Sequence, residues 1–254
     1  MSIPSEFSDI QAVRQTGSLR VSLAATETEV EEAIRFRHDI LCSQMKANLV
    51  KRPEGGDLDE FDRHCLHLTV RDCKSVQLVG STRLLFNEGA AAAGMFYLES
   101  EFEFNNILKQ PGCFMEVGRP CLRPGYRGDV TGILQAGVLQ QVAQRDIDYV
   151  ISCASLSMGG RGAHAQAIID SLRDRYFLPK GLQVTPRLPL TDSASLPDDT
   201  PVVTPTLLKT YLAAGGMIGG EACWNPEFNV ADVFILTRSN QLLPGHASTF
   251  LECA

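Results

Sequence analysis

Four carboxylates fall within six positions of this chain of 254 residues: Asp57, Asp59, Glu60 and Asp62, in KRPEGGDLDEFD. Side by side they repel one another unless water, a cation or arginines neutralise them. That chemistry suits recognition of a cationic amine. Calcium fits poorly, because Phe61 and the missing glycine and terminal glutamate break the pattern of a calcium loop. A second reactive group lies in Cys113–Leu156. There Phe114–Leu122 is strand-like but interrupted by Gly118 and Pro120, and proline cannot donate to a sheet ladder, so pairing fails on one side. A sheet that splays there leaves a slot beside Glu116 and Arg119. Next comes a turn-rich loop, Arg123–Asp129, which includes Tyr126, Arg127 and Gly128. It leads into a helix capped by Asp129 or Thr131, whose free N–H groups form an anion site. Arg83, inside the apolar strand VGSTRLL, is costly to bury unpaired, and the loop carboxylates are its natural partners.

These groups need elements to hold them. Leu19–Ala24 alternates as a strand, and a helix capped by Thr26 or Thr28 turns Val30, Ile34, Ile40 and Leu41 inward. That helix carries Arg35, Arg37 and His38, which by themselves read as a solvated cationic face. His64–Arg71 and Gln77–Phe86 read as two antiparallel strands around DCKS. GAAAAG, residues 89–94, reads as a flexible connector, and FYLESEFEFNNIL as a short amphipathic helix with Phe102 and Phe104 in the core. The apolar run Asp148–Leu156 suits a buried strand, and a helix over Ala163–Tyr176 follows. Arg161, Arg173, Arg175, Lys180 and Arg187 outnumber Asp170 and Asp174 there, a basic surface on an acidic protein. Residues 189–203 form a polar loop, and the last unit is a helix, a glycine-rich turn and a buried strand, Val230–Leu236.

The length allows one core with an elaboration: a flexible N-terminus over 1–18, a core over 19–188, and an extension over 189–254 packed on it. A net charge of -7 and a pI near 5.3 argue against nucleic acid and against anionic lipid. Eight scattered cysteines without a C-x-x-C pair, and a polar start without a leader, suggest reduced thiols in the cytoplasm. His64 and His67 point to opposite faces of a strand, so no metal site is expected. No apolar stretch approaches the roughly 18–20 residues of a membrane span, leaving at most peripheral contact with the inner face of the membrane.

The unit strand, loop, helix, strand, with EVGRPCLRPGYRG at its centre, resembles the GNAT superfamily of acyltransferases. Within it the motifs look most like the ornithine-acyl-carrier-protein N-acyltransferases that begin ornithine lipid synthesis, and more distantly like acyl-homoserine-lactone synthases or other N-acyl amino acid synthases. The resemblance rests on Glu-x-x-Arg, matched by Glu116 and Arg119, on DEFD with Asp59 and Asp62, on STRLL with Arg83, and on a helix with Arg37, Leu41 and Met45. YLAAGGMIGG followed by ADVFIL is similar to the ending of the ornithine enzymes. It implies a mixed α/β sheet with splayed central strands and a C-terminal extension. The activity implied is transfer of a 3-hydroxyacyl chain from acyl carrier protein to the α-amine of ornithine. The phosphopantetheine thioester is then a substrate, and no separate cofactor or metal is implied. Glu116 would take the amine proton, with Arg119 beside it, and an N–H near Gly118 would hold the oxyanion. Arg37, Asp59, Asp62, Arg83, Phe102 and Phe104 would bind the substrates. Arg123, Tyr126, Arg127 and Gly128 would hold the pantetheine phosphate, and Arg161, Arg173, Arg175 and Lys180 would dock the acidic carrier.

Overall fold

Strands β1 (Arg14–Thr16) and β2 (Leu19–Leu23) open the chain in the computed structural model, which describes residues 14–45, 58–190 and 201–242. They pair with each other, and the alternation LRVSL buries Leu19, Val21 and Leu23. Helix α1 (Glu27–Met45) follows directly on Thr26. The Thr26 hydroxyl accepts from the Glu29 N–H at 3.2 Å, and the Glu29 carboxylate accepts from the N–H groups of Ala25 and Thr26 at 2.6 and 3.1 Å. This is the reciprocal cap that a Thr followed by Glu three positions on can make. The expected hairpin is β3 (Leu66–Asp72) and β4 (Gln77–Phe86).

Two expectations fail next. GAAAAG is not a connector: it lies mostly in α2 (Asn87–Ala93), because alanine is the best helix former and Gly94, at φ 94°, supplies the left-handed stop. FYLESEFEFNNIL is not one amphipathic helix. It divides into a 3₁₀ turn (Tyr97–Ser100), β5 (Phe102–Glu103) and the single turn α3 (Asn105–Leu108). Phe96, Leu98, Phe102, Phe104 and Ile107 are all buried, and one helix face cannot hold that spacing.

Then come β6 (Phe114–Leu122), α4 (Arg127–Gln144), β7 (Tyr149–Ser157) and α5 (Ala163–Tyr176), the last with the bounds its periodicity predicts. Helix α4 begins two residues before Asp129, with Tyr126 at the cap position and no side-chain cap. Strand β8 (Thr185–Pro186) pairs with β5. The chain ends in α6 (Thr206–Ala213), β9 (Met217–Ile218), β10 (Cys223–Asn225), β11 (Val230–Arg238) and α7 (Ser239–Leu242).

The main sheet runs β1-β2-β3-β4-β6-β7-β11-β10, with β9 also on β11. β6 and β7 form its parallel pair, and β11 lies antiparallel to β7 along all nine residues, so the C-terminal strands continue the same sheet. Helix α4 covers one face; Gly137 lets it close on Val21 and Leu68, where a Cβ would come within 2.8 and 2.9 Å. Helices α5 and α6 extend that layer over β7 and β11. The opposite face carries α1, which seals Leu78 and Cys121 with Phe36 and Ile40. Beside it lies an aromatic core around Phe61, Phe102, Phe104, Phe114 and Phe234. No helix of the described residues is long and apolar enough to cross a membrane.

Candidate active site

β6 and β7 hydrogen-bond only where Phe114–Val117 faces Tyr149–Ser152, although each strand is nine residues long. From Gly118 they part, which is the expected slot. Pairing of β6 with β4 survives past that point with a register slip between Ser81 and Arg83, and the Thr82 hydroxyl donates to the Gly118 carbonyl at 2.8 Å. The residue in the left-handed region is Arg119, at φ 53°, not the glycine before it. A non-glycine residue held there costs roughly 1–2 kcal/mol and persists only because its surroundings fix it. Glu116 stands at the point of separation, with Oε1 3.7 Å from where a Cβ on Gly118 would sit.

Beside the slot lies a network of matched charges. Arg37, carried in by α1, is 2% exposed and grips Asp62 through two hydrogen bonds of 2.8 and 2.7 Å. Its place is the interior, not the solvated helix face that its neighbour Arg35 occupies. Arg83 Nη1 donates to both oxygens of Asp59 at 2.7 Å and to Asp62 at 3.1 Å, the partnership expected for an arginine in an apolar strand. Arg119 approaches Asp59 at 3.7 Å and lies over the rings of Tyr97 and Phe228. Burial opposes charge on Asp62, but the bonds and charge of Arg37, with Arg83 beyond, outweigh it and hold the carboxyl well below its ordinary range. Burial likewise lowers the pKa of His67, whose Nε2 sits 3.0 Å from the Asp62 carbonyl. Asp57 and the side chain of Met45 lie outside the described residues.

Glu116 is in a different state. It is 2% exposed, accepts from the Leu98 N–H at 3.2 Å and from that of Tyr97, and burial pushes its carboxyl up to about 7 even though Arg83 pulls it down. A carboxyl so raised has the proton affinity that a general base needs at neutral pH.

Around it the structure assembles carboxylates that spacing alone did not single out. Glu101, from the end of the 3₁₀ turn, and Asp232, from β11, are 131 positions apart in the chain and both buried. Asn225 spends its amide hydrogens on Glu101 Oε1 and Asp232 Oδ2, each at 3.0 Å, while its own oxygen accepts from the Phe228 N–H. Tyr97 donates to Glu101 at 3.2 Å, and Ser155 on β7 donates to Asp232. The Cys153 sulfur and one oxygen from each acid lie within 4.8 Å of one another. The available signals were an odd glutamate in FYLESEF and an aspartate inside the apolar run ADVFIL.

A GNAT acetyltransferase domain model matches residues 36–134. The L-ornithine N(alpha)-acyltransferase of Agrobacterium fabrum is 33% identical over 243 residues, 87% of this chain and 80% of that protein. Its counterpart in Brucella abortus is 30% identical over 244 residues, 87% of this chain and 84% of that protein. The chain belongs to the L-ornithine Nα-acyltransferase family. Among solved structures, the acyl-homoserine-lactone synthase LasI superposes with a TM-score of 0.52 at 14% identity, covering 88% of this chain and 92% of its own. The N-acyl amino acid synthase FeeM, from uncultured soil microbes, gives 0.51 at 10% identity, covering 91% and 99%. Both carry the same fold.

Other residues expected to serve this family's chemistry take definite places. Arg123 donates to the Leu78 carbonyl at 3.2 Å and lies over Phe36, and the Tyr126 hydroxyl donates to Asp72 at 3.1 Å, so both fasten the turn before α4 to β3 and β4. The side chain of Arg127 and the surroundings of Gly128 lie outside the described residues. Phe102 and Phe104 are 0% and 1% exposed and pack on Phe234 with ring centroids 5.7 and 4.9 Å away. Arg161, Arg175 and Lys180 are exposed. Arg173 is tied to Asp170 at 2.7 Å and Glu221 at 2.6 Å.

Proposed function

We propose that the protein transfers a fatty acyl chain from a carrier-bound thioester to the α-amine of L-ornithine. The acceptor follows from family membership. The observation that carries the mechanism is Glu116, a buried carboxyl raised to about 7 where β6 leaves β7. The α-ammonium must lose a proton before it can attack. Glu116 takes that proton, directly or through one water, and the freed amine adds to the thioester carbonyl to form the C–N bond. The tetrahedral adduct then collapses, the C–S bond breaking as the second N–H proton passes to the departing sulfur, which leaves as the thiol. Backbone N–H groups of the Gly118–Arg119 bulge stabilise the oxyanion. The pantetheine arm enters between β6 and β7, where each strand offers unpaired backbone, and its phosphate meets the start of α4. The Arg37–Asp62 and Arg83–Asp59 pairs hold the wall of this slot. Acyl carrier protein is the donor's bearer, drawn to Arg161, Arg175 and Lys180, and contact with the membrane is peripheral.

The test is incubation with acyl-carrier and acyl-CoA thioesters and a panel of amino acids, with products identified by mass. Nα-acylornithine from the carrier thioester is expected. A lactone formed from S-adenosylmethionine, or no acylated amine from any donor, overturns the reading.

A further inference from the structure

The two cation-binding candidates on this sheet face differ in what is left to bind. Asp59 and Asp62, which composition suggests for a cationic side chain, already hold Arg37, Arg83 and Arg119. A further ammonium would have to displace buried guanidiniums. Glu101 and Asp232 instead feel the charge of Arg119 and hydrogen-bond to each other. Their other donors among the described residues are the neutral groups of Asn225, Tyr97 and Ser155, and Asn225 has no amide hydrogen left to give. Glu101 Oε2 is buried with no donor at all, in a residue only 8% exposed. A buried carboxylate oxygen without a donor is a costly arrangement, and such groups mark positions that a ligand completes. The way in is the slot: Asp232 pairs in register with Ser155 on β7, beyond the point where β6 has left, and Ser155 is exposed.

We infer that the Glu101–Asp232 pair is the seat of the acceptor's side-chain ammonium, and so the residues that select a diamino acid. This rests on the acyl-transfer reading above. The α-amine then faces Glu116 while the second ammonium, which must stay charged and must not react, is held among carboxylates. An ammonium fits the pair because its donors can reach Glu101 Oε2, Asp232 and the Tyr97 hydroxyl together.

The charge balance agrees. Burial, and then the charge of Asp232, push the Glu101 carboxyl up to about 8, and burial raises Asp232 as well. The groups facing them are Arg119, which favours their ionised forms, and Glu116, Cys153 and Cys223, whose thiols burial holds neutral. Without ligand at neutral pH the pair therefore retains a proton, and an incoming ammonium expels it.

Kinetics with ornithine and norvaline, which has the same chain without the δ-amine, test this in the wild type and in Glu101→Gln and Asp232→Asn. The wild type should prefer ornithine by roughly 10²-fold or more in kcat/KM, and either variant should bring the two within about tenfold of each other. The KM for the acyl donor should stay unchanged. Calorimetry of ornithine binding at pH 7 in buffers of different ionisation heat should show about one more proton released by the wild type than by Glu101→Gln. Equal use of norvaline by the wild type, or an unchanged preference in both variants, overturns the inference, and the wild-type comparison holds even if a variant fails to fold. Retention of a transition metal by the purified wild type, lost in Asp232→Asn, overturns it too. Charge-selective ornithine binding without acyl transfer would sustain the site and sink the proposed reaction instead.

Discussion

The network Arg37–Asp62–Arg83–Asp59 and the group Glu101–Asp232–Glu116 lie on the same face of one sheet, are similarly buried, and are built from the same acidic residue types. In the first, guanidiniums meet every carboxylate, and Asp62 sits far below its ordinary range. In the second, burial outweighs the pull of the nearby guanidiniums, and Glu116 and Glu101 rise to about 7 and about 8. Matched charges make a rigid wall; unmatched ones keep protons to exchange. A buried acid is a candidate for chemistry only when the protein leaves it short of positive charge.

Substitution at each region should break this comparison in opposite ways. The largest effect is expected from Asp62→Asn, which strands Arg37 in the interior and should cost about 3–5 kcal/mol in denaturant unfolding. Near-normal stability with a specific loss of ornithine binding would move Asp62 from the wall to the acceptor site. Glu116→Gln should lower kcat by roughly 10² or more at pH 7 with stability little changed. In the wild type the rate should climb through about pH 7 as Glu116 ionises, and a flat profile would remove it as the base.

A smaller, graded effect separates the regions by pH. Glu101 has a folded pKa above its unfolded one, so the folded state binds the extra proton between about 4.5 and about 8. Its contribution is present at low pH and is lost as pH rises through that window, at up to about 1.4 kcal/mol per unit. Glu101→Gln should flatten this fall in thermal melts from pH 5 to pH 8. Asp62 runs the other way: its depressed pKa gives stability above the carboxylate range that is lost on acidification below about pH 4. The smallest change should come from Arg173→Ala, whose exposed pairs with Asp170 and Glu221 are worth less than about 1 kcal/mol in urea unfolding. Arg175→Glu with Lys180→Glu should instead weaken use of acyl carrier protein and reduce its salt dependence. Equal loss with acyl-CoA would place the basic surface outside carrier docking.

Much of this was legible in the chain. Periodicity gave α5 to the residue and placed β4, β7 and β11 within two residues or fewer, because one-sided burial writes a repeat of 3.6 or a continuous apolar run. A threonine cap on α1, left open between Thr26 and Thr28, and the splay after Val117 followed from local rules about N–H groups and proline, and the structure selects Thr26. The Arg83 partnership followed from the cost of an unpaired buried charge. The failures were local conflicts settled by packing. Alanine propensity made a helix of residues 87–93, and the aromatic core pulled Phe96–Ile107 out of helical spacing.

What sequence by itself determined was the chemistry on offer: a carboxylate and an arginine on a strand that must splay, arginines that need acids, an acid loop that needs neutralising. Only the tertiary structure decided which charges meet. Arg37 is 25 residues from Asp62, and Glu101 is 124 from Asn225, separations over which no periodicity operates. Whether a carboxylate ends as a neutralised wall or a proton-holding site depends on burial and on the reach of a guanidinium, and both are properties of the packed interior, not of the order of residues along the chain.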